Sequence, residues 1–182
     1  MEVAKEVILE AQKAGIYVQT YEQDTILAER HSKELDFYLH NARMRYRLVG
    51  NMFTSLEQEP YKVLLIDVED QGRLMEFRDS HPELLERCNC FFSCNEYLEY
   101  CPKATDKGSG LKYMSKFLNV PIENTVAVGD ERNDIPMIQA AHVGVAMKNG
   151  HKDLQAAADY VTEHDNEHGA IAEIIEKFIL NG

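Results

Sequence analysis

The residues best suited to chemistry stand together at Gly129-Asp130-Glu131-Arg132-Asn133-Asp134, between the apolar run Thr125-Val126-Ala127-Val128 and Ile135-Pro136-Met137-Ile138. A short apolar run closed by glycine predicts a covered parallel strand, and Asp134 ahead of Ile135-Pro136 predicts a helix N-cap with proline in the first turn. Asp130 then lies at the carboxyl end of a strand, where open α/β sheets bind their ligands. A carboxylate there suits Mg²⁺, which takes oxygen ligands and is usually shared between one or two carboxylates and a substrate phosphate. On this reading Asp130 is the metal ligand, while Asn133 and Asp134, one turn on, hold a phosphate oxygen or a metal-bound water. The same spacing also fits an ordinary strand-to-helix turn with Asp134 as its cap.

Two other groupings invite a chemical reading. Cys88, Cys90, Cys94 and Cys101 fall in one short window, as the ligands of a structural zinc would. Their spacing lacks paired knuckles, however, and the segment alternates like two strands, Asn89–Ser93 and Tyr97–Tyr100, joined around Asn95-Glu96. Reduced cysteines packed as small apolar residues are the simpler reading. Asp67 and Asp70 follow the apolar run Tyr61–Ile66 and read as the solvated end of a strand. The seven histidines are scattered and none is assigned to a metal.

Behind these residues the chain offers the elements that must position them. A helix is predicted over Glu2–Ala14, stopped by Gly15, then a strand over Ile16–Tyr21 and a helix from about Ile26 to Asn41. Residues 50–59 read as a loop or short helix, and Arg73–Asp79 and Glu83–Arg87 as helices broken at His81-Pro82. From Gly108 onward, helix and strand alternate: helix Gly108–Leu118, strand Thr125–Gly129, helix Ile135–Ala141, strand Val143–Met147, helix Lys152–Ala158, strand Tyr160–Thr162 and helix Gly169–Leu180. Alternation of this kind predicts a parallel sheet covered by helices.

Composition narrows the function further. With 182 residues, 45% hydrophobic and 27% charged, the chain can bury a real core in one or two domains. A net charge of -12 repels nucleic acid and anionic lipid, so neither is an expected partner, and a phosphorylated substrate must be drawn in by a metal or by local positive charge. No apolar run is long enough for a signal-peptide core or a membrane span, and the chain reads as cytosolic.

The motif Gly129-Asp130-x-x-Asn133-Asp134 with Met137-Ile138 resembles the last catalytic motif of the haloacid dehalogenase superfamily, in particular its Cof-type sugar-phosphate phosphatases. The likeness continues in order through Val143-Gly144-Val145-Ala146-Met147-x-Asn149, Ala158-Asp159-Tyr160-Val161-Thr162 and His168-Gly169-Ala170. Gly150 and His168 depart from the usual Ala and Asp and are expected to lie off the metal site. The resemblance implies an α/β fold, with a HAD-like Rossmannoid parallel sheet in residues 102–182, the C-terminal part of the core. Residues 1–101 are implied to be mostly an α/β cap domain of the C2 type.

For chemistry, the resemblance implies Mg²⁺-dependent phosphoryl transfer from a small phosphorylated metabolite to an aspartate nucleophile. It assigns Asp130 to the metal, Asn133 to phosphate, Asp134 to the metal's second sphere and Lys107 to charge stabilisation between nucleophile and phosphate. The family nucleophile, its partner acid and its Ser/Thr motif should precede residue 1; Asp67 fits only superficially, with Glu69 in place of the second Asp and no Gly-Thr after it. The chain is therefore expected to be inactive alone. The strand Thr125–Gly129 is expected to form an unpaired edge that self-associates or pairs with a separate N-terminal segment. A non-catalytic binding or regulatory protein on the same scaffold is the alternative.

Overall fold

The computed structural model describes residues 1–180, which divide into two compact units meeting between Ala104 and Thr105. The boundary lies three residues beyond the one expected from sequence.

The first unit is a six-stranded sheet with helices on it. Its elements are α1 (Glu2–Lys13), β1 (Tyr17–Glu22), β2 (Thr25–Ala28), α2 (Lys33–Ala42), β3 (Arg45–Leu48), α3 (Met52–Ser55), β4 (Val63–Ile66), α4 (Gln71–Ser80), α5 (Pro82–Arg87), β5 (Cys88–Cys94) and β6 (Tyr97–Pro102). The strand order is β3-β2-β1-β4-β6-β5, antiparallel throughout except where β3 runs parallel to β2. Because side chains alternate across a strand, each central strand feeds two cores. Val18, Val63, Leu65, Leu98 and Tyr100 pack with α1, α4 and α5, while Tyr17, Tyr21, Leu64 and Ile66 pack with Leu35 of α2. This double coverage explains the unbroken apolar run in β4.

One expected helix is corrected here. Ile26–Ala28 is strand, not the start of a helix: it is buried and pairs with β1 across the two-residue turn Gln23-Asp24, where Gln23 takes a left-handed φ of 53°. The helix begins only after Ser32, whose hydroxyl accepts the Leu35 N–H at 3.3 Å. Helical periodicity loses to strand pairing where Thr25 and Ile26 are β-branched and Ile26 is buried.

Asp67 also differs from expectation. It is buried, not solvated: one carboxylate oxygen accepts the N–H groups of Glu69 and Asp70, and the other meets Arg73 at 2.7 Å. Burial alone would raise its pKa; the two backbone donors and Arg73 together hold it below the ordinary carboxylate value. Asp70 caps α4 through the Gly72 N–H.

The cysteine hairpin forms as expected, and all four thiols are free. Cys88 and Cys90 face the helix-covered side with Tyr100, whereas Cys101 follows Tyr100 onto the opposite face. Four thiolates split between two faces of a sheet cannot converge on one tetrahedral ion.

The second unit contains α6 (Lys107–Phe117), β7 (Val126–Gly129), α7 (Ile135–Ala140), β8 (Val143–Ala146), α8 (Lys152–Ala157), β9 (Tyr160–Val161) and α9 (Ala170–Ile175), the last continued by a π-turn over Glu176–Leu180. The strands are parallel in the order β7-β8-β9. Ala127, Ala146, Ile138 and Leu154 form the core, with Leu111 of α6 packed against it. Among the described residues no strand pairs with the outer edge of β7. No helix among them is long and apolar enough to cross a membrane.

Candidate active site

The second unit gathers the candidate residues at the carboxyl end of β7. The turn begins at Gly129, where a Cβ would run into the side chain of Asp134. A residue without a side chain is what lets Asp134 fold back under the turn. Its Oδ2 accepts the N–H groups of Asp130 and Glu131, both at 3.0 Å, so the carboxylate is buried yet satisfied. The side-chain N-cap expected of Asp134 is therefore absent from α7; those oxygens are committed to the preceding turn, and a single helical turn of 3₁₀ type over Arg132–Asp134 leads into the helix.

Lys107 reaches the same carboxylate from the first turn of α6. Its ammonium contacts Asp134 Oδ1 and lies 3.5 Å from Asn133 Oδ1. Two features of sequence make this possible. Asp106 caps α6, accepting the Ser109 N–H at 2.7 Å while Ser109 Oγ returns a bond to the Asp106 backbone. Gly108 is buried, and a Cβ there would overlap the carbonyl of Pro136, so only glycine allows α6 to lie so close on α7. The lysine side chain remains 48% exposed, leaving its other hydrogens available to an incoming anion.

Asp130 is placed differently from Asp134. Its main chain is tied into the unit, with the carbonyl accepting the His151 N–H at 2.8 Å. Among the described residues its carboxylate accepts from one side chain, the amide of Asn166, which donates to Oδ2 at 3.3 Å. Among the described residues nothing donates to Oδ1. A carboxylate with one oxygen uncommitted, at the open end of a parallel strand, fits a magnesium ion that keeps several waters and takes its remaining ligands from elsewhere. The arrangement brings Lys107, Asn133, Asp134 and Asp130 around a single turn, as sequence reasoning placed them.

Sequence reasoning did not single out Asn166 or Glu173, and it gave Asn149 no role. Asn149 and Asn166 exchange hydrogen bonds, and Glu173 on α9 accepts from the Glu163 N–H, the Tyr160 hydroxyl and the His164 backbone and ring. Burial alone would raise the pKa of Glu173; the donors, led by the Glu163 N–H and Tyr160, override it and bring it down to about 2. Asn149 and Asn166 lie in polar loops without periodicity, and Glu173 reads as one acid on the polar side of a helix, so nothing in their spacing marks them.

Comparison with known proteins places the chain in a family. The description haloacid dehalogenase-like hydrolase matches residues 1–175. Phosphatase YwpJ of Bacillus subtilis is 44% identical over 77 residues, 42% of this chain and 27% of that protein. A phosphoglycolate phosphatase of Methanobrevibacter smithii is 31% identical over 157 residues, covering 86% of this chain and 60% of that one. Among solved structures, a haloacid dehalogenase-like hydrolase from Bacteroides thetaiotaomicron superposes with a TM-score of 0.82 at 28% identity, over 97% of this chain and 66% of its own. The chain thus spans under two thirds of the length of each of these relatives. With a parallel sheet ending in Gly129-Asp130, a lysine seated on the following aspartate and a family match along nearly its whole length, the chain belongs to the haloacid dehalogenase-like hydrolases.

Proposed function

We propose that this chain carries the cap and the metal-bearing part of the core of a Mg²⁺-dependent phosphomonoester hydrolase acting on small phosphorylated metabolites, sugar phosphates foremost, in the cytosol. The observation that carries the reading is the single turn at which Asp130 offers a free carboxylate oxygen while Lys107 and Asn133 stand beside it. Asp130 would hold Mg²⁺, which on binding neutralises phosphate charge and orients the phosphoryl group for attack. Asn133 donates its amide to a phosphate oxygen. Lys107, with ammonium hydrogens to spare, offsets the mutual repulsion of phosphate and attacking carboxylate. Asp134 acts through others: it fixes the turn that carries Asp130 and restrains Lys107 near Asn133. The first unit, Met1–Ala104, serves as the cap that selects the leaving group.

The carboxylate beside Asp130, that of Asp134, is taken up by Lys107 and by the N–H groups of Asp130 and Glu131. Asp67 is taken up by its own hydrogen bonds inside the first unit. The open edge of β7, next to Asp130, is where a further strand bearing an aspartate would pair. We therefore propose that catalysis requires such a strand, and that without it the edge drives self-association.

The test is hydrolysis of p-nitrophenyl phosphate with and without Mg²⁺. The chain alone is expected to show negligible turnover, and covalent addition of the N-terminal third of a phosphatase relative is expected to give Mg²⁺-dependent turnover that Asp130→Ala abolishes. Turnover by the chain alone that is lost in Asp130→Ala would overturn the requirement for a further strand. A completed protein that binds phosphosugars but never hydrolyses them would favour a binding protein on this scaffold.

A further inference from the structure

We infer that Asn166 is a positioning residue for the cation site, its amide locked by Asn149 so that it occupies Oδ2 of Asp130 and leaves Oδ1 to the metal. The inference rests on the reading of Asp130 as the Mg²⁺ ligand and adds the residues that aim it.

The geometry is a relay of three side chains. Asn149 Nδ2 donates to Asn166 Oδ1 at 2.8 Å, the Asn166 N–H donates to Asn149 Oδ1 at 3.2 Å, and Asn166 Nδ2 donates to Asp130 Oδ2 at 3.3 Å. A planar amide carries its acceptor and its donor on opposite ends. By engaging the oxygen of Asn166, Asn149 dictates that the NH₂ end faces Asp130. The reverse orientation would set a carbonyl oxygen against a carboxylate.

The loop bearing Asn166 is braced on both sides. Thr162 Oγ1 accepts the Lys148 N–H at 3.0 Å and donates to the His164 carbonyl at 2.6 Å, which ties the loop to the segment that carries Asn149. Glu173 holds the next residues through the Glu163 and His164 N–H groups at 2.9 and 3.1 Å. A neutral donor also has a chemical advantage over a cation here. It fixes the rotamer of Asp130 while leaving its full negative charge for the metal, much as outer-sphere partners orient ligating carboxylates elsewhere.

Mn²⁺ serves as the probe, because its EPR signal reports free ion directly and needs no turnover. The full chain, Asp130→Ala, Asn166→Ala, Asn149→Ala and the double variant Asn149→Ala/Asn166→Ala are titrated with Mn²⁺, and the fold of each is checked by thermal melting. Asn149 and Asn166 are both exposed, so neither truncation removes core. Asp130→Ala is expected to abolish the specific site. Asn166→Ala should weaken Mn²⁺ binding by about tenfold, Asn149→Ala by less, and the double variant no further than Asn166→Ala, with melting temperatures unchanged. If Asp130→Ala lowers Mn²⁺ affinity but Asn166→Ala does not, the positioning role is overturned while Asp130 stands. If the full chain and Asp130→Ala take up Mn²⁺ equally, or not at all, the metal reading fails and this inference with it.

Discussion

The ammonium of Lys107 sits on the carboxylate of Asp134, 27 residues later in the chain, and the other oxygen of that carboxylate holds the N–H groups of Asp130 and Glu131. One buried aspartate thus joins the first turn of α6 to the turn after β7. Truncating it with Asp134→Ala leaves two part-buried backbone donors without their partner, a loss of about 1 kcal/mol. Urea denaturation should show a midpoint lowered accordingly. Lys107→Met, at a half-exposed cation, should cost well under half as much.

Gly108 and Gly110 lie two residues apart on α6 and should respond to alanine with opposite signs. A Cβ at Gly108 overlaps the Pro136 carbonyl, so Gly108→Ala forces α6 away from α7 and should destabilise by roughly 1–3 kcal/mol. A Cβ at Gly110 meets nothing, and Gly110→Ala should stabilise by about 1 kcal/mol through helix propensity alone. Chemical denaturation of the two variants side by side checks both signs.

Glu173 contributes a pH-dependent part of stability. Its folded pKa of about 2 lies below the ordinary 4.5, so the folded state holds the ionised form more firmly than the unfolded state does. That contribution is fully present above about pH 4.5 and is lost as pH falls through about 2. Glu173→Gln should therefore be less stable than the parent chain at pH 6, and the gap between them should close progressively below pH 4.5. A gap that stays constant across this range would rule out the linkage.

The thiols of the hairpin should be slow to react. Burial pushes Cys90 up to about 12 and Cys101 up to about 11, so neither supplies much thiolate at neutral pH. In Ellman's assay at pH 7.5 the native chain should label these two far more slowly than the urea-unfolded chain. EDTA should leave the melting temperature where it is, since Cys88 and Cys90 face one side of the sheet and Cys101 the other; a fall in melting temperature on chelation would revive the zinc reading.

Much of this protein could be read before folding was considered. The alternation after Gly108, the strand ending in Gly129-Asp130 and the seating of Asn133 and Asp134 on the next turn all follow from local periodicity and turn chemistry. Those signals are local, and the elements that carry them form where they predict. Local pattern failed where pairing decides. Ile26–Ala28 became strand because β1 lay ready to receive it, and Asp67 was drawn into the interior because backbone donors and Arg73 converged on it.

At the site itself the sequence determined which groups are present, and the tertiary structure decided what each is free to do. Asp130 and Asp134 are the same side chain four residues apart. Asp134 is spent on Lys107 and two N–H groups because Gly129 lets it fold beneath the turn, while Asp130 keeps an oxygen open because, among the described residues, only Asn166, from a distant loop, reaches it. Donors that distance in sequence cannot reveal set the difference between a structural aspartate and one able to hold a cation.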